Sequence, residues 1–491
     1  MYLRTNSLLL YGLLFGLLFL ISGILIPKTL ILFLQNSNQY ILSIFSFYYL
    51  SIGLFIVLAA LLLILLPLSK LKLGNEKPEY SYFSWIALLY STGMGSGLLL
   101  RAVQEPLYYY NHPPVISENV KELALQYTFF HWGFTPWAMY SLFGLIVAYN
   151  LYIDKYPNFL QAIVPYVKNR YIKTMTISFI ILITITGVIA SLGLGTGQLI
   201  GGLNYFLDIR LGTSSLLLSV FFIGLTATLS ALTGINKVIK YLADFDFSFS
   251  ILLMLFIALF LNFNDFIIQT SSAFLNYLVH FFEMSLSIAA YQTSQGFLKD
   301  WTVFYWAFWL AWVPFTGIFI ARISKGRSVR EFIIATILVP TLATITWFSV
   351  FANNGFELIK TNNSQFDNIF TSLFEFLAHF PLSQLTIFLA ALLILISIIN
   401  SVDSAIFVLG MFSDKGKENP SKTHKLLWGI IITLTALGLT AVGTEDLLNA
   451  VSNLLTIMAL PFSFLYIYII VTFFGSILRP NSRSKKHELN Q

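Results

Sequence analysis

Runs of about twenty apolar residues, the length that carries a helix across a bilayer, recur about twelve times along this chain of 491 residues. Their spacing predicts spans near 8–27, 46–68, 82–110, 125–152, 176–206, 214–235, 248–268, 301–321, 331–352, 383–412, 426–444 and 449–477. In hydrocarbon no water bonds a free N–H or C=O, so each run must close its backbone bonds as a helix. The fold class expected is all-α and integral to a membrane. With 57% hydrophobic and 10% charged residues, the chain lacks the polar surface of a soluble domain. The first run is too long and too weakly basic at its start for a cleaved leader, so it is read as a retained helix.

The formal charge of +6 takes its meaning from where the basic residues fall. With the N-terminus inside, roughly 22 of the 28 Lys and Arg lie in cytoplasmic segments, and about 5 lie outside, as the positive-inside rule requires. The basic balance therefore reports topology with both termini cytoplasmic, and nucleic acid is not implied. One cation, Arg101, falls inside a span. There is no cysteine, which excludes disulfides and thiolate metal sites. The stretch from Ser271 to Ser285, within the long external connection 269–300, has the spacing of a helix lying at the interface. A packed extracellular loop is the plain alternative.

Two stretches stand out within the spans. "YSTGMGSGLLLRAVQEPLYYY" (Tyr90 to Tyr110) puts Gly93, Gly95 and Gly97 in mid-span, where each Gly costs about 1 kcal/mol against Ala in a continuous helix. Either the helix is broken there, offering carbonyls to a cation and amides to an anion, or small residues allow close helix packing. "FFHWGFTPWAMY" (Phe129 to Tyr140), read as one helix, brings Trp132, Trp137 and Tyr140 near one stripe. Membrane tryptophans also serve as interfacial anchors or packing. The six histidines are scattered; only His131 is clearly intramembrane, and it is read as a packing or helix-contact histidine. Without a cluster of His, Asp or Glu at catalytic spacing, no enzyme is expected. A channel would need pore-lining polar rings in an oligomer, and the asymmetric broken-helix pattern argues against one.

"GMGSG…EP" (Gly93 to Pro106), "FFHWGFTPWAMY", "SLGLGTGQ" (Ser191 to Gln198), "WTVFYWAFWLAWVPFTGIFIARISKGRSVREF" (Trp301 to Phe332) and "NSVDSA" (Asn400 to Ala405) together resemble the betaine/carnitine/choline transporter family, in the family's order. The resemblance implies an inverted pair of five-helix repeats with a sodium:solute symporter-like core and two extra helices at the N-terminus. Accordingly, 1–78 carries spans one and two, 79–268 the first repeat, 269–300 the external connection, 301–478 the second repeat and 479–491 a short basic tail. It implies a homotrimer in the inner membrane, among lipid, importing a trimethylammonium-type solute by cation symport. A quaternary ammonium donates no hydrogen bond and is held by aromatic faces. By resemblance the box is Trp132, Trp137, Tyr140 and Trp309, with Trp312 and Phe315 continuing the pathway, and Gly95 and Gly97 meeting the solute through backbone. The family's double tryptophan reads Phe308–Trp309 here, which removes an indole donor beside the box. Choline-selective members resemble a motif with an acid among these glycines; Gly97 lacks it, which favours glycine betaine or a related zwitterion.

No cofactor is implied other than Na+ as a coupling ion. The resemblance places a sodium site at Thr92 and Met94 with Asn400 and Ser401, where an amide replaces a hydroxyl. A second site would map to Thr184, Val188 and Phe315, and Val188 has no oxygen to give. Arg101 has three readings: a salt bridge to Glu105 four residues on, a clamp for a substrate carboxylate, or a fixed charge standing in for the coupling ion. The last corresponds to a sodium-independent exchanger. A carrier of choline, carnitine or another zwitterion, and a transport-dead osmosensor, remain the alternative functions. "RISKGRSVRE" (Arg322 to Glu331) is read as a solvated cytoplasmic anchor, with inner-gate contacts or anionic-lipid binding as its further roles.

Overall fold

A computed structural model describes residues 5–478 apart from 95, 166, 168, 234, 235, 363 and 364, and leaves aside the side chains of 5–7, 90–94, 170, 236–240, 243 and 362. The expected contribution of Gly95, those of the Thr92 and Met94 side chains, and the basic tail therefore lie outside the described residues.

Helix α1 (Thr5–Leu25) meets α2 (Pro27–Leu65) across the single residue Ile26. Proline at the first position of α2 explains the join: it forces its predecessor out of helical conformation while starting the next helix at no cost. At 39 residues, α2 is about 58 Å long and begins well before the expected span at 46. Span three is broken into α3 (Tyr82–Met94), α4 (Gly97–Arg101) and α5 (Gln104–Asn111), as the glycine run suggested. Span four is also broken, into α6 (Val120–Trp132) and α7 (Phe134–Tyr152), where a single helix was expected. At the hinge, a Cβ on Gly133 would lie 2.5 Å from the Phe129 carbonyl oxygen and 2.9 Å from the Tyr277 hydroxyl.

After short α8 (Phe159–Ile163) come α9 (Arg170–Leu207), α10 (Thr213–Leu232) and α11 (Asn236–Ala258). Span seven was expected at 248–268. It starts twelve residues earlier and ends ten earlier, because Asp244 and Asp246 depress the hydropathy of a segment that is nevertheless helical. Helix α12 (Phe263–Val279) is bent by 119° from the span before it, and α13 (Phe281–Leu286) follows. The interfacial stretch is thus helical, starting at 263. Helix α14 (Gln295–Phe297) runs through a π-helical turn, Leu298–Val303, into α15 (Phe304–Ile323). The chain closes with α16 (Val329–Asn362), short α17 (Ser372–Leu377), α18 (Ser383–Ser413), α19 (Lys422–Thr440) and α20 (Thr444–Leu478).

Among the described residues nine helices are long and apolar enough to cross a membrane, and the bent pair α11–α12 makes a tenth. The expected spans three and four are interrupted and are not among these ten. Helix neighbours repeat when each span is exchanged for the one five places on. The pair α3 and α11 is answered by α15 and α20, α11 and α18 by α20 and α9, α10 and α18 by α19 and α9, and α11 and α16 by α20 and α7. Five is odd, so alternate crossing makes the two halves run in opposite directions, the inverted pair that the resemblance implied.

Every residue from Trp301 to Ala321 is buried, so span eight is the central helix, apolar all round as such a position demands. Small residues let its neighbours in: a Cβ on Gly144 of α7 would lie 2.8 Å from the Gly317 oxygen of α15. That close crossing holds the α7 aromatics against those of α15.

Candidate substrate pocket and cation junction

The break at Gly133 sets the site. Gly133 leaves the helical conformation at φ −94° and ψ −126°, the crowding there leaves no room for a Cβ, and the freed Phe134 N–H is taken up by the Tyr277 hydroxyl at 3.0 Å. The carbonyl of His131, at the end of α6, accepts from Trp309 Nε1 at 3.0 Å. Unspent helix-end groups thereby fix the indole on which the site is built.

Four expected rings form one cluster. Trp132 lies 5.0 Å from Trp309 at 77°, Tyr140 lies 6.2 Å from Trp309 at 87°, and Trp137 lies 5.7 Å from Tyr140 at 86°. Tyr305, one turn before Trp309, stacks on it at 5.9 Å and 20° and meets Trp132 at 5.6 Å. Trp312 and Phe315 belong to a second group further along α15. Trp312 stacks on Phe308 at 5.7 Å, contacts Phe315 at 5.3 Å and donates to the Gly187 carbonyl at 3.1 Å. Two polar atoms in the first cluster, Trp137 Nε1 and Tyr140 Oη, are buried without a hydrogen-bond partner.

Beside the cluster is a small, mostly apolar cavity. Its aromatic wall is Trp132, Phe304, Tyr305 and Phe308; Ser96, Gly97, Leu100, Arg101, Ser191 and Leu194 line the rest. Of the expected substrate residues, Gly97, Arg101 and Trp132 line it, whereas Trp137, Tyr140, Trp309, Trp312 and Phe315 lie behind its wall. Tyr305 was missed in the sequence, although its place four residues before Trp309 was a usable signal.

Arg101 and Glu105 do not pair. Helix α4 ends at Arg101 and α5 starts at Gln104, so the one-turn register of a continuous helix is lost. Arg101 Nη1 donates to Gln104 Oε1 at 2.6 Å, and its guanidinium lies 4.9 Å from the Trp301 ring centroid and 5.8 Å from that of Phe304. Fully buried Glu105 accepts from Trp132 Nε1 at 2.8 Å, from Tyr109 Oη at 3.1 Å and from Tyr305 Oη. His131 Nδ1 lies 3.6 Å from it and 2.9 Å from Tyr109 Oη, and His131 Nε2 lies 3.1 Å from Thr302 Oγ1. Glu105 therefore orients two rings of the cavity wall from two different spans, and His131 is part of that network rather than apolar packing alone.

On α18, Asn400 and Ser401 are both buried. Ser401 Oγ donates to the Ser397 carbonyl at 2.9 Å, while neither polar atom of the Asn400 side chain has a partner. An orphaned amide oxygen beside a hydroxyl is a donor set that fits a hard cation such as Na+. Thr184 Oγ1 donates to the Ile180 carbonyl at 2.7 Å and keeps its lone pairs, but Val188 packs in the core with no side-chain oxygen, so the second mapped site is poor in oxygen. Among the described residues no group of three or more His, Asp or Glu is placed to hold a metal. The 322–331 run, expected to be solvated, is instead packed: Arg327 is 4% exposed, its guanidinium 4.1 Å from the Tyr82 ring and 4.5 Å from that of Trp85. It holds the start of α3 to the segment that follows α15.

Interrupted helices at membrane depth, tolerated only where they are buried in protein or line a cavity, together with an inverted repeat around that cavity, define a multi-pass membrane transporter. Residues 7–481 match the family described as BCCT, betaine/carnitine/choline family transporter. The glycine betaine transporter OpuD of Bacillus subtilis is 35% identical over 486 residues, covering 95% of this chain and 93% of that one. An ectoine/hydroxyectoine transporter of Virgibacillus pantothenticus is 32% identical, covering 87% of each chain. The osmo-independent choline transporter BetT1 of Acinetobacter baylyi is 31% identical, covering 91% of this chain and 88% of its own. The chain belongs to the betaine/carnitine/choline transporter family, and it is a transporter and not an enzyme.

Proposed function

We propose that this protein imports a zwitterionic trimethylammonium-type solute, glycine betaine foremost, by cation symport across a bacterial-type inner membrane. The observation that carries the reading is the cavity with an aromatic wall and a guanidinium in its lining. A quaternary ammonium gains about 0.5 to 2 kcal/mol from each ring it faces, and a carboxylate is held by Arg101 through charge-assisted bonds. Gly97, without a carboxylate, leaves the cation of free choline uncompensated beside Arg101. The relatives named for glycine betaine and for ectoine support the reading.

Asn400 and Ser401 are the proposed sodium ligands on α18. Arg101 bonds Gln104 and lines the solute cavity, which supports the carboxylate clamp over a charge that replaces the coupling ion. The distribution of Lys and Arg supports cytoplasmic termini, and the family resemblance supports a homotrimer. Labelled betaine should exchange into proteoliposomes preloaded with unlabelled betaine. Saturable binding without any such counterflow would identify a sensor and reject the carrier.

A further inference from the structure

Asp246, in the membrane-spanning part of α11, is 7% exposed. Its carboxylate accepts from one hydroxyl, Ser397 Oγ of α18, at 2.9 Å to one oxygen and 3.1 Å to the other. No Lys, Arg or His pairs with it among the described ion pairs. Ionisable groups at this depth are costly and are kept where they pair or serve an ion or substrate path. One neutral donor does not compensate a buried carboxylate.

The surroundings supply what the carboxylate lacks. Asn400 is three residues beyond Ser397 and Ser401 four, so the three side chains rise from one face of α18. Asn400 is 4% exposed with both polar atoms unpartnered. Helix α3, the inner half of the broken span, packs on both α11 and α18. Its last carbonyls, like those of any helix end, lack intrahelical partners. Three packed elements thus carry oxygen groups of the kind a hard monovalent cation takes, and Asp246 is the carboxylate bonded directly to the Ser397 face of α18.

We propose that Asp246 is the anionic ligand of a sodium site at the junction of α3, α11 and α18, with Ser397 and Asn400 as its neutral oxygen donors. A site made only of Asn400, Ser401 and carbonyls leaves the ion's charge unbalanced in low dielectric; the carboxylate balances it. The ion in turn satisfies the carboxylate, so binding and helix packing are coupled. The inference rests on the cation-symport reading above.

The test is thermal denaturation of the purified full chain, with sodium chloride replacing potassium chloride at constant ionic strength and no organic solute present. Sodium should raise the melting temperature of the parent, and Asp246→Asn should need about tenfold more sodium or more for the same rise, as loss of a ligand that binds only the folded state implies. Ser397→Ala keeps the charge and should shift the requirement about threefold, which guards against a variant that simply folds poorly. A sodium response unchanged in both variants overturns the inference and leaves the symport reading standing. A parent indifferent to sodium removes both. Uptake driven by a proton gradient without sodium, and lost in Asp246→Asn, reassigns the carboxylate to a proton and overturns the sodium site.

Discussion

At the scale of single residues, Glu105 and Trp309 divide the work of holding a cation. Trp309 is the ring on which the others converge, its nitrogen fixed by the His131 carbonyl. Trp309 lies behind the cavity and packs on the two rings that line it, Trp132 and Tyr305, so Trp309→Leu should weaken betaine affinity about tenfold, or about 1.4 kcal/mol, by releasing those rings, and Trp309→Phe should weaken it less. Glu105 reaches the solute only through Trp132 and Tyr305. Glu105→Gln should therefore cost betaine and choline alike, by about 1.5 kcal/mol or more, as expected for hydrogen bonds to a charged acceptor. Tryptophan-fluorescence titrations of the variants measure both effects, and a loss confined to one solute would show direct contact instead. The aromatic residues were legible from the motif. Glu105's role was not, because its three donors come from α5, α6 and α15 and meet only in the folded molecule.

Among elements, the interruptions matter more than the helices. The glycine run left two readings for span three, a break or close packing through small residues, and the structure has the break. The break in span four rests on one glycine, and nothing local distinguishes it from an ordinary packing glycine. What distinguishes it is Tyr277, reaching across from α12 to the Phe134 N–H, a contact of long sequence separation. Gly133→Ala should lower stability by roughly 1 to 3 kcal/mol, the cost of overpacking, because the atom nearest the new methyl is the Phe129 backbone oxygen, which has little freedom to move. A melting temperature equal to the parent's would contradict the hinge. The same logic explains the late start expected for span seven, since Asp244 and Asp246 lower the local hydropathy although Asp246 bonds Ser397 of α18. It also explains why the Arg101–Glu105 bridge, sound for a continuous helix, is absent from a broken one.

For the whole molecule, apolar run length was enough to read a multi-pass helical membrane fold, and the inverted pair of five-helix repeats came from the family resemblance. Where the cavity lies was not legible, since its lining combines α4, α9 and α15 with the end of α6. The account predicts a dipolar site, with rings for the ammonium and Arg101 for the anion. Its most direct test is equilibrium titration of the purified parent and of Arg101→Ala with betaine and with choline. The parent should bind betaine more tightly than choline, and the variant should lose about 1.5 to 3 kcal/mol for betaine while choline changes little. A parent that prefers choline, or a variant that loses both solutes equally, would contradict it.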